Sequence, residues 1–158
     1  MAFAPVYTPA SHTLILGTWP SPKSREQGFF YGHPQNRFWP LLARLLAQPV
    51  PREIPQKIAL LQNNGLALWD TIEHCTITGA SDASIKDVTP TDIVGLCRLA
   101  PIRRVLCNGA TAYGLCQKYQ RLPGLEVVKL PSTSPANAAW TMDKLAAAWG
   151  PYLTKTEL

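Results

Sequence analysis

The segment His12-Thr-Leu-Ile-Leu-Gly17 is the part of the sequence that decides the fold. It is a short, continuous apolar run that ends at a glycine, a pattern typical of a strand buried on both faces of a sheet. Runs of the same kind recur at Gly65-Leu-Ala-Leu-Trp69, Arg104-Val-Leu-Cys-Asn108 and Leu125-Glu-Val-Val-Lys-Leu130. Together these four runs predict a central parallel sheet.

Helical patterns alternate with the predicted strands. We interpret Asn36 as a helix N-cap, because amide side chains favour that position. The helix behind it is predicted by apolar residues with helical spacing: Phe38, Leu41, Leu42, Leu45 and Leu46. Further helices are expected over residues 53–64, 91–99, 110–119 and 136–149, the last ending at Gly150-Pro151. This alternation predicts a three-layer α/β/α sandwich around a four-stranded parallel sheet, with residues 1–158 forming one domain.

The composition is that of a globular protein with few charges. Hydrophobic residues make up 46% of the 158 residues and charged residues only 16%, against roughly 25% in average proteins. There are 15 lysines and arginines against 10 aspartates and glutamates, and the resulting net charge of +5 favours a polyanionic partner. The 15 prolines are nearly a tenth of the 158 residues, against a usual share of about 5%, and they indicate many fixed turns.

Several classes of protein are excluded by what the sequence lacks. No apolar run approaches the roughly 20 residues of a membrane helix, and residues 1–13 lack the pattern of a signal peptide. The cysteines form no CxxC pair, so we expect no metal site, no disulfides and a reducing, cytoplasmic location. No cofactor is expected, because the sequence has neither a GxGxxG nor a Walker A motif.

Ligands of open α/β sheets bind at the carboxyl ends of the strands. Here the segments just past the strands are residues 17–21, 69–70, 107–108 and 131–135, which are small, polar or aromatic and contain almost no acid. Residues 18–35 form a long predicted loop, and loops of that length are usually functional. We therefore expect a single cleft at this edge of the sheet.

The side chains of this cleft suit a flat heterocycle attached to a phosphate backbone. Aromatic rings stack on bases, amides present a donor and an acceptor to a base edge, and hydroxyls and cations contact phosphates. Each residue also has a structural interpretation. Asn36 and Asp70 are capping residues in that interpretation, whereas Trp19 and Tyr31 seal the core and His33 is a structural hydrogen-bond donor.

Two motifs carry a resemblance to a known family. The first is Gly17-Thr-Trp-Pro-Ser21 followed by Gly28-Phe-Phe-Tyr-Gly-His-Pro-Gln-Asn-Arg-Phe-Trp39, and the second is Leu130-Pro-Ser-Thr-Ser-Pro-Ala-Asn137. They resemble the uracil-DNA glycosylase superfamily, most closely its hypoxanthine-DNA (deoxyinosine) glycosylase branch. The resemblance extends from His12 to about Trp149.

The resemblance implies roles for the matching residues. Asn36 takes the catalytic role, orienting a water or hydrogen-bonding the leaving purine, and Tyr31 stacks on the flipped base. Asn108 is a candidate for contacting the base edge, and residues 132–137 form the loop that enters the minor groove. The other expected base-binding residues are Gly17, Thr18, Trp19 and His33. The expected DNA-binding residues are Ser21, Lys23, Ser24, Arg25, Ser132, Thr133, Ser134 and Asn137.

Two positions depart from the family pattern. Trp19 stands where the mismatch-specific branch has its catalytic Asn, and an indole cannot orient a water as an amide does. Leu130 stands in place of the late His or Asn of the superfamily. This second departure leaves more of the leaving-group stabilisation to Asn36 and to backbone amides.

The resemblance thus implies a monofunctional DNA glycosylase that flips out a deaminated base, with hypoxanthine the first choice, and leaves an abasic site. We expect it to act as a monomer on double-stranded DNA, with no membrane association. Two alternatives stay open: a mismatch-specific uracil/thymine glycosylase and a non-catalytic DNA-binding module on the same fold. The departures at Trp19 and Leu130 motivate the second alternative.

Overall fold

A computed structural model describes residues 2–76 and 84–153 of the chain. Its strands β1 (Thr13–Gly17), β2 (Leu66–Asp70), β5 (Arg104–Asn108) and β6 (Glu126–Leu130) form a parallel sheet in the order β2-β1-β5-β6. Every residue of β1 and β2 is buried, because helices cover the sheet. The predicted α/β fold with a central four-stranded parallel sheet is confirmed.

The predicted helices are present, with bounds set by local capping. Helix α2 (Phe38–Leu46) buries the predicted apolar face except Leu45, which is partly buried. Asn36 lies one position before the N-cap, Arg37, yet its side chain accepts a hydrogen bond from the N–H of Phe38. The next helices are α3 (Ile54–Gln62), α4 (Ile93–Leu99) and α5 (Ala110–Tyr119).

The long loop predicted over residues 18–35 contains a short helix that the sequence analysis missed. Helix α1 (Pro22–Gln27) starts at Ser21, whose hydroxyl accepts a hydrogen bond from the N–H of Ser24 at 3.1 Å, and it ends at Gly28 with φ 76°. Both signals are visible in the sequence. The helix is too short to show an apolar period, which is why periodicity did not reveal it.

One further element was not predicted, and another was predicted with the wrong bounds. The polar stretch after Asp70 forms an antiparallel ribbon of β3 (Ile72–Thr76) and β4 (Lys86–Pro90), which is largely exposed and therefore lacks a clear apolar alternation. The last helix, α6 (Met142–Leu153), begins later than predicted and continues through Gly150-Pro151. Pro151 lies in the final turn of α6, so the backbone hydrogen bond that it removes is one at the end of the helix. Trp149 and Leu153 of the same turn are buried in the core.

Candidate active site

The carboxyl ends of β1, β2 and β5 and the loop after β6 surround a cavity of about 710 Å³. It lies at the sheet edge where the sequence predicted a cleft, and its size suits one small flat ligand. Lys23 and Asn137 are not part of its lining. The predicted site residues that line it are Gly17, Thr18, Trp19, Ser21, Ser24, Arg25, Tyr31, His33, Asn36, Asn108, Ser132, Thr133 and Ser134.

Asn36 enters the cavity from the turn before α2. Its side-chain oxygen accepts hydrogen bonds from the N–H of Phe38 at 2.9 Å and from the hydroxyl of Thr133 at 2.8 Å. Because a backbone N–H can only donate, the atom facing Phe38 is the oxygen, and the position of the amide nitrogen follows. That nitrogen makes no hydrogen bond to any described residue. Asn36 therefore offers a fixed N–H donor to a ligand in the cavity.

Thr133 connects Asn36 to Asn108. Its hydroxyl accepts a hydrogen bond from the Asn108 amide at 3.1 Å, and its N–H donates to the Asn108 side-chain oxygen at 3.0 Å. The Thr133 hydroxyl proton is thereby directed to Asn36, so each of the three side chains orients the next. We call Asn36, Thr133 and Asn108 the amide wall. A contact between Asn108 and the base edge stays a prediction.

Arg37 was not among the predicted site residues, yet it holds in place the loop that follows β6, residues 131–137, which we call the late loop. Its backbone N–H and its Nε donate to the carbonyl of Thr133 at 3.1 and 3.3 Å. Its terminal nitrogens donate to the carbonyls of Ser134 at 2.8 Å, Asn137 at 3.1 Å and Trp140. A guanidinium suits this task because its planar donors diverge to several acceptors at once. The neighbouring carbonyls, which no sequence pattern reveals, are what identify this role.

Tyr31 forms the floor of the cavity beside α2. Its ring stacks on Phe38 with centroids 4.1 Å apart and an interplanar angle of 26°. Its φ of 55° lies in the left-handed region, which costs a non-glycine residue about 1 kcal/mol or more and is found mainly at functional sites. The buried Ser24 supports this turn by accepting a hydrogen bond from the N–H of Gly32 at 2.9 Å. Stacking of Tyr31 on a flipped base stays a prediction.

Gly17, Tyr31 and Asp70 form a second wall, which we call the acidic wall. A Cβ at Gly17 would lie 2.5 Å from Asp70 Oδ1 and 2.7 Å from the Tyr31 hydroxyl, so only glycine fits there. The Tyr31 hydroxyl and Asp70 Oδ2 are buried and have no hydrogen-bond partner of normal geometry among the described residues. From the sequence, Asp70 was expected at the cleft with a turn cap as its structural interpretation, but it was not among the predicted site residues. An acidic residue at the end of an apolar strand was the sequence signal that could have marked Asp70 as a candidate site residue.

The ionisation of the acidic wall is shifted by burial. Burial raises the pKa of Asp70 to about 7, and the positive charge of Arg25 opposes that rise. Burial, followed by the nearby Asp70 charge, also raises the pKa of Tyr31, with the amide of Asn108 opposing part of the rise. Both groups therefore favour their neutral forms far more than exposed side chains do.

The remaining predicted residues lie at the rim of the cavity. The Arg25 guanidinium lies over the Trp19 ring, 4.6 Å from its centroid. His33 Nδ1 accepts a hydrogen bond from the N–H of Gln35 at 3.0 Å. Lys23 is exposed on α1 and pairs with Glu26 at 3.7 Å. Contacts of these rim residues with DNA stay predictions.

The late loop is also braced from within. The Ser132 hydroxyl accepts a hydrogen bond from the N–H of Ser134 at 3.1 Å, and the Asn137 amide donates to the Ser132 carbonyl at 3.0 Å. The indole of Trp149 donates to the carbonyl of Pro131 at 2.9 Å. Leu130, which precedes the loop, is 4% exposed and belongs to the core. The loop thus keeps its shape without a ligand.

The described part of the chain contains neither a cluster of metal ligands nor a membrane-spanning helix. Within residues 2–76 and 84–153, no three His, Cys, Asp or Glu side chains lie close enough together to hold a metal ion. In the same ranges, no helix has both the length and the apolar character needed to cross a bilayer. The four cysteines, all in the described part, are free thiols.

A cavity at the strand ends of a parallel sheet, lined with stacked aromatics, fixed amides and basic residues, suits an enzyme that takes up a base flipped out of DNA. The chain belongs to the uracil DNA glycosylase superfamily, whose family pattern matches residues 4–152. DNA is accordingly the substrate of this enzyme class.

Individual relatives agree with this assignment. A hypoxanthine DNA glycosylase from Methanosarcina acetivorans is 29% identical over 143 residues, covering 90% of each chain. A protein of the same name from Methanosarcina barkeri is 32% identical over 137 residues, covering 85% of this chain and 86% of that one. The solution NMR structure of a protein proposed to be a uracil DNA glycosylase, from M. acetivorans, superposes with a TM-score of 0.84. It is 29% identical and covers 96% of this chain and 94% of that one.

Proposed function

We infer that this enzyme removes hypoxanthine from DNA by hydrolysis and leaves an abasic site. The observation that carries this inference is the fixed amide of Asn36, whose oxygen is held by Phe38 and Thr133 and whose N–H groups are left for a ligand. The names of the Methanosarcina relatives support hypoxanthine as the base. Adenine deamination produces this base opposite thymine, a weak pair that flips at low cost.

The geometry favours one of the two roles open to Asn36. An amide that orients a water would use its oxygen as the acceptor, but that oxygen already accepts two hydrogen bonds. The amide N–H is therefore the group that acts. As the glycosidic bond breaks, its electron pair moves onto the leaving base, and the N–H of Asn36 stabilises that negative charge. Water adds to the sugar carbon and gives up one proton, and a proton taken up by the base leaves it neutral. A single preorganised donor of this kind accelerates a reaction by about 10²–10³-fold.

The enzyme works in this proposal as a monomer on double-stranded DNA in the cytoplasm, as one domain. The free thiols suit a reducing compartment. Few large apolar side chains are exposed in the described part of the chain, namely Val50, Ile54, Val94 and Leu99. That surface suits a protein that needs no second subunit.

A panel of duplexes containing hypoxanthine, uracil, xanthine or thymine tests the proposal, with alkaline cleavage of the abasic product as the readout. We expect the wild type to release hypoxanthine fastest, and Asn36→Ala to lose most of that activity. Release of uracil or thymine alone would identify the mismatch-specific alternative. Tight, salt-sensitive binding without release of any base would identify a DNA-binding module.

A further inference from the structure

Ser24 is a buried residue of α1 that lines the cavity. It is 2% exposed, whereas Lys23 and Arg25 on either side of it are exposed. It is also the one buried residue of this six-residue helix. A serine side chain gains little free energy from burial itself, so its hydrogen bonds account for its position.

Ser24 binds the turn that follows the helix, residues 28–32, at three points. Its carbonyl accepts hydrogen bonds from the N–H groups of Gly28 at 2.8 Å and Phe29 at 3.2 Å. Its hydroxyl oxygen accepts one from the N–H of Gly32 at 2.9 Å. These N–H groups lie on both sides of Tyr31 along the chain, so Ser24 fixes the backbone before and after that residue.

Tyr31 needs this support because its backbone is strained and its ring has a defined place. With a φ of 55°, Tyr31 lies in the left-handed region, which is unfavourable for a residue with a side chain. The free energy of one hydrogen bond, here to the adjacent Gly32, is similar to that cost. One face of the Tyr31 ring is stacked on Phe38, so the opposite face is the one left for a base in the cavity. A change in the backbone of this turn therefore changes where the ring can stack.

We propose that Ser24 is a positioning residue, which holds the Tyr31 ring where it stacks on the flipped base and does not contact DNA itself. This inference rests on the proposed function, because it requires a flipped base beside Tyr31. The sequence predicted a direct DNA contact for Ser24. In the structure its hydroxyl oxygen is engaged within the protein, by the N–H of Gly32 and by the hydroxyl of Ser21 at 3.1 Å. The contribution of Ser24 to DNA binding therefore passes through Tyr31.

The test is a double-mutant cycle between Ser24→Ala and Tyr31→Ala. Dissociation constants are measured with two duplexes, one containing 2′-fluorinated deoxyinosine and one containing a tetrahydrofuran abasic analogue. The fluorine disfavours the cationic sugar, so the base stays attached, and the analogue offers Tyr31 no base. We expect Ser24→Ala to weaken binding of the inosine duplex about three- to tenfold and to leave binding of the abasic duplex unchanged. In the Tyr31→Ala background, Ser24→Ala should change neither constant.

Ser11→Ala is the matched control. Ser11 is also buried, and its hydroxyl oxygen accepts a hydrogen bond from the N–H of Thr8 at 2.9 Å, but it does not line the cavity. We expect Ser11→Ala and Ser24→Ala to lower the melting temperature by similar amounts, whereas Ser11→Ala leaves both dissociation constants unchanged. Binding is measured well below the lower of the two melting temperatures, so that loss of folded protein does not contribute.

Equal weakening on both duplexes would show that Ser24 acts on the DNA backbone and would overturn the inference. Unchanged binding of the inosine duplex in Ser24→Ala or in Tyr31→Ala would overturn it as well, and so would a loss that persists without the Tyr31 ring. If Ser24→Ala does not fold, Ser24→Cys replaces it, because a thiol has a similar size but is a weak acceptor. Unweakened inosine binding in that variant then has the same consequence. If the wild type excises no base, the proposed function fails, while the binding cycle still decides the role of Ser24.

Discussion

The two walls of the cavity differ in how their polar atoms are satisfied. In the amide wall, Asn36, Thr133 and Asn108 hold one another through hydrogen bonds of 2.8 to 3.1 Å. In the acidic wall, the Tyr31 hydroxyl and Asp70 Oδ2 are buried and have no hydrogen-bond partner among residues 2–76 and 84–153. One wall is therefore ordered by its own hydrogen bonds, whereas the other leaves buried polar atoms that a ligand could contact. An ordered wall lowers the cost of reorganisation, and buried unpaired groups favour ligands that can pair with them.

The largest expected effect is on the pH dependence of stability and concerns the acidic wall. The Asp70 pKa rises from 3.8 in the unfolded chain to about 7 in the fold, so the folded state binds more protons in between. Stability is therefore lost as the pH rises through that interval and is constant above it. Between pH 4 and pH 8 we expect the wild type to lose about 4 kcal/mol of unfolding free energy relative to Asp70→Asn. Urea unfolding at several pH values measures this, and parallel pH curves for the two proteins would show that the carboxyl is not desolvated.

The amide wall is broken most sharply by Asn36→Asp. A carboxylate accepts the same hydrogen bonds from Phe38 and Thr133, but it has no N–H to donate and places negative charge beside the leaving base. We expect the single-turnover excision rate to fall by about 10²–10³-fold with a nearly unchanged melting temperature. Retained or increased activity would show that Asn36 orients water through its oxygen. Asn36→Gln is the companion variant, since it keeps the amide but displaces it.

Arg37 supports the amide wall from behind, through the carbonyls of the late loop. Arg37→Met removes the side-chain donors and keeps only the backbone N–H, so we expect a loss of about 2–3 kcal/mol in unfolding free energy, together with faster proteolysis after Pro131. Arg44 is the matched control on the same helix, because its pair with Asp143 at 2.9 Å is exposed. Arg44→Met should cost less than about 1 kcal/mol. Equal losses in the two variants would mean that the late loop does not depend on Arg37.

The smallest effect is expected at the rim, where Lys23 is exposed and lies outside both walls. If Lys23 neutralises one phosphate, Lys23→Ala lowers the slope of log affinity against log salt by about 0.9. Lys118 is the control, because it lies in the last turn of α5, away from the carboxyl ends of the strands. Titrations of a non-cleavable duplex at several salt concentrations measure both slopes. An unchanged slope in Lys23→Ala would remove this residue from the DNA contacts.

Elements with a buried apolar pattern were predictable from the sequence, and exposed ones were not. Strand β5 was predicted with the bounds that it has in the structure, Arg104–Asn108, because a buried strand needs a continuous apolar run. The ribbon of β3 and β4 was missed, since it faces solvent and is held by backbone pairing. The start of α6 was predicted too early, at residue 136 and not at Met142. Residues 136–141 contain three alanines, but in the structure they form turns, in which the carbonyl of Asn137 accepts the N–H of Trp140 and the Arg37 guanidinium binds the carbonyls of both residues.

The candidate site was predicted only in part, because motifs name residues and not their partners. Asn36, Tyr31 and the late loop were selected from the sequence, and all of them line one cavity. Arg37 and Asp70 were passed over. Arg37 looks like a phosphate ligand until the carbonyls around it are known. Asp70 looks like a turn cap until its burial is known.

The parallel sheet and the edge at which its ligand binds could be predicted from the sequence. Apolar runs bounded by glycines indicate buried strands, and the alternation of these strands with helices indicates that they are parallel. It also determined the family, through two motifs at strand ends. Three features follow from the tertiary structure alone: the direction of the Asn36 amide, the task of Arg37 and the burial of Asp70. These depend on hydrogen bonds between residues about a hundred positions apart, such as Asn36 and Thr133, and on burial, which is a property of the packed chain.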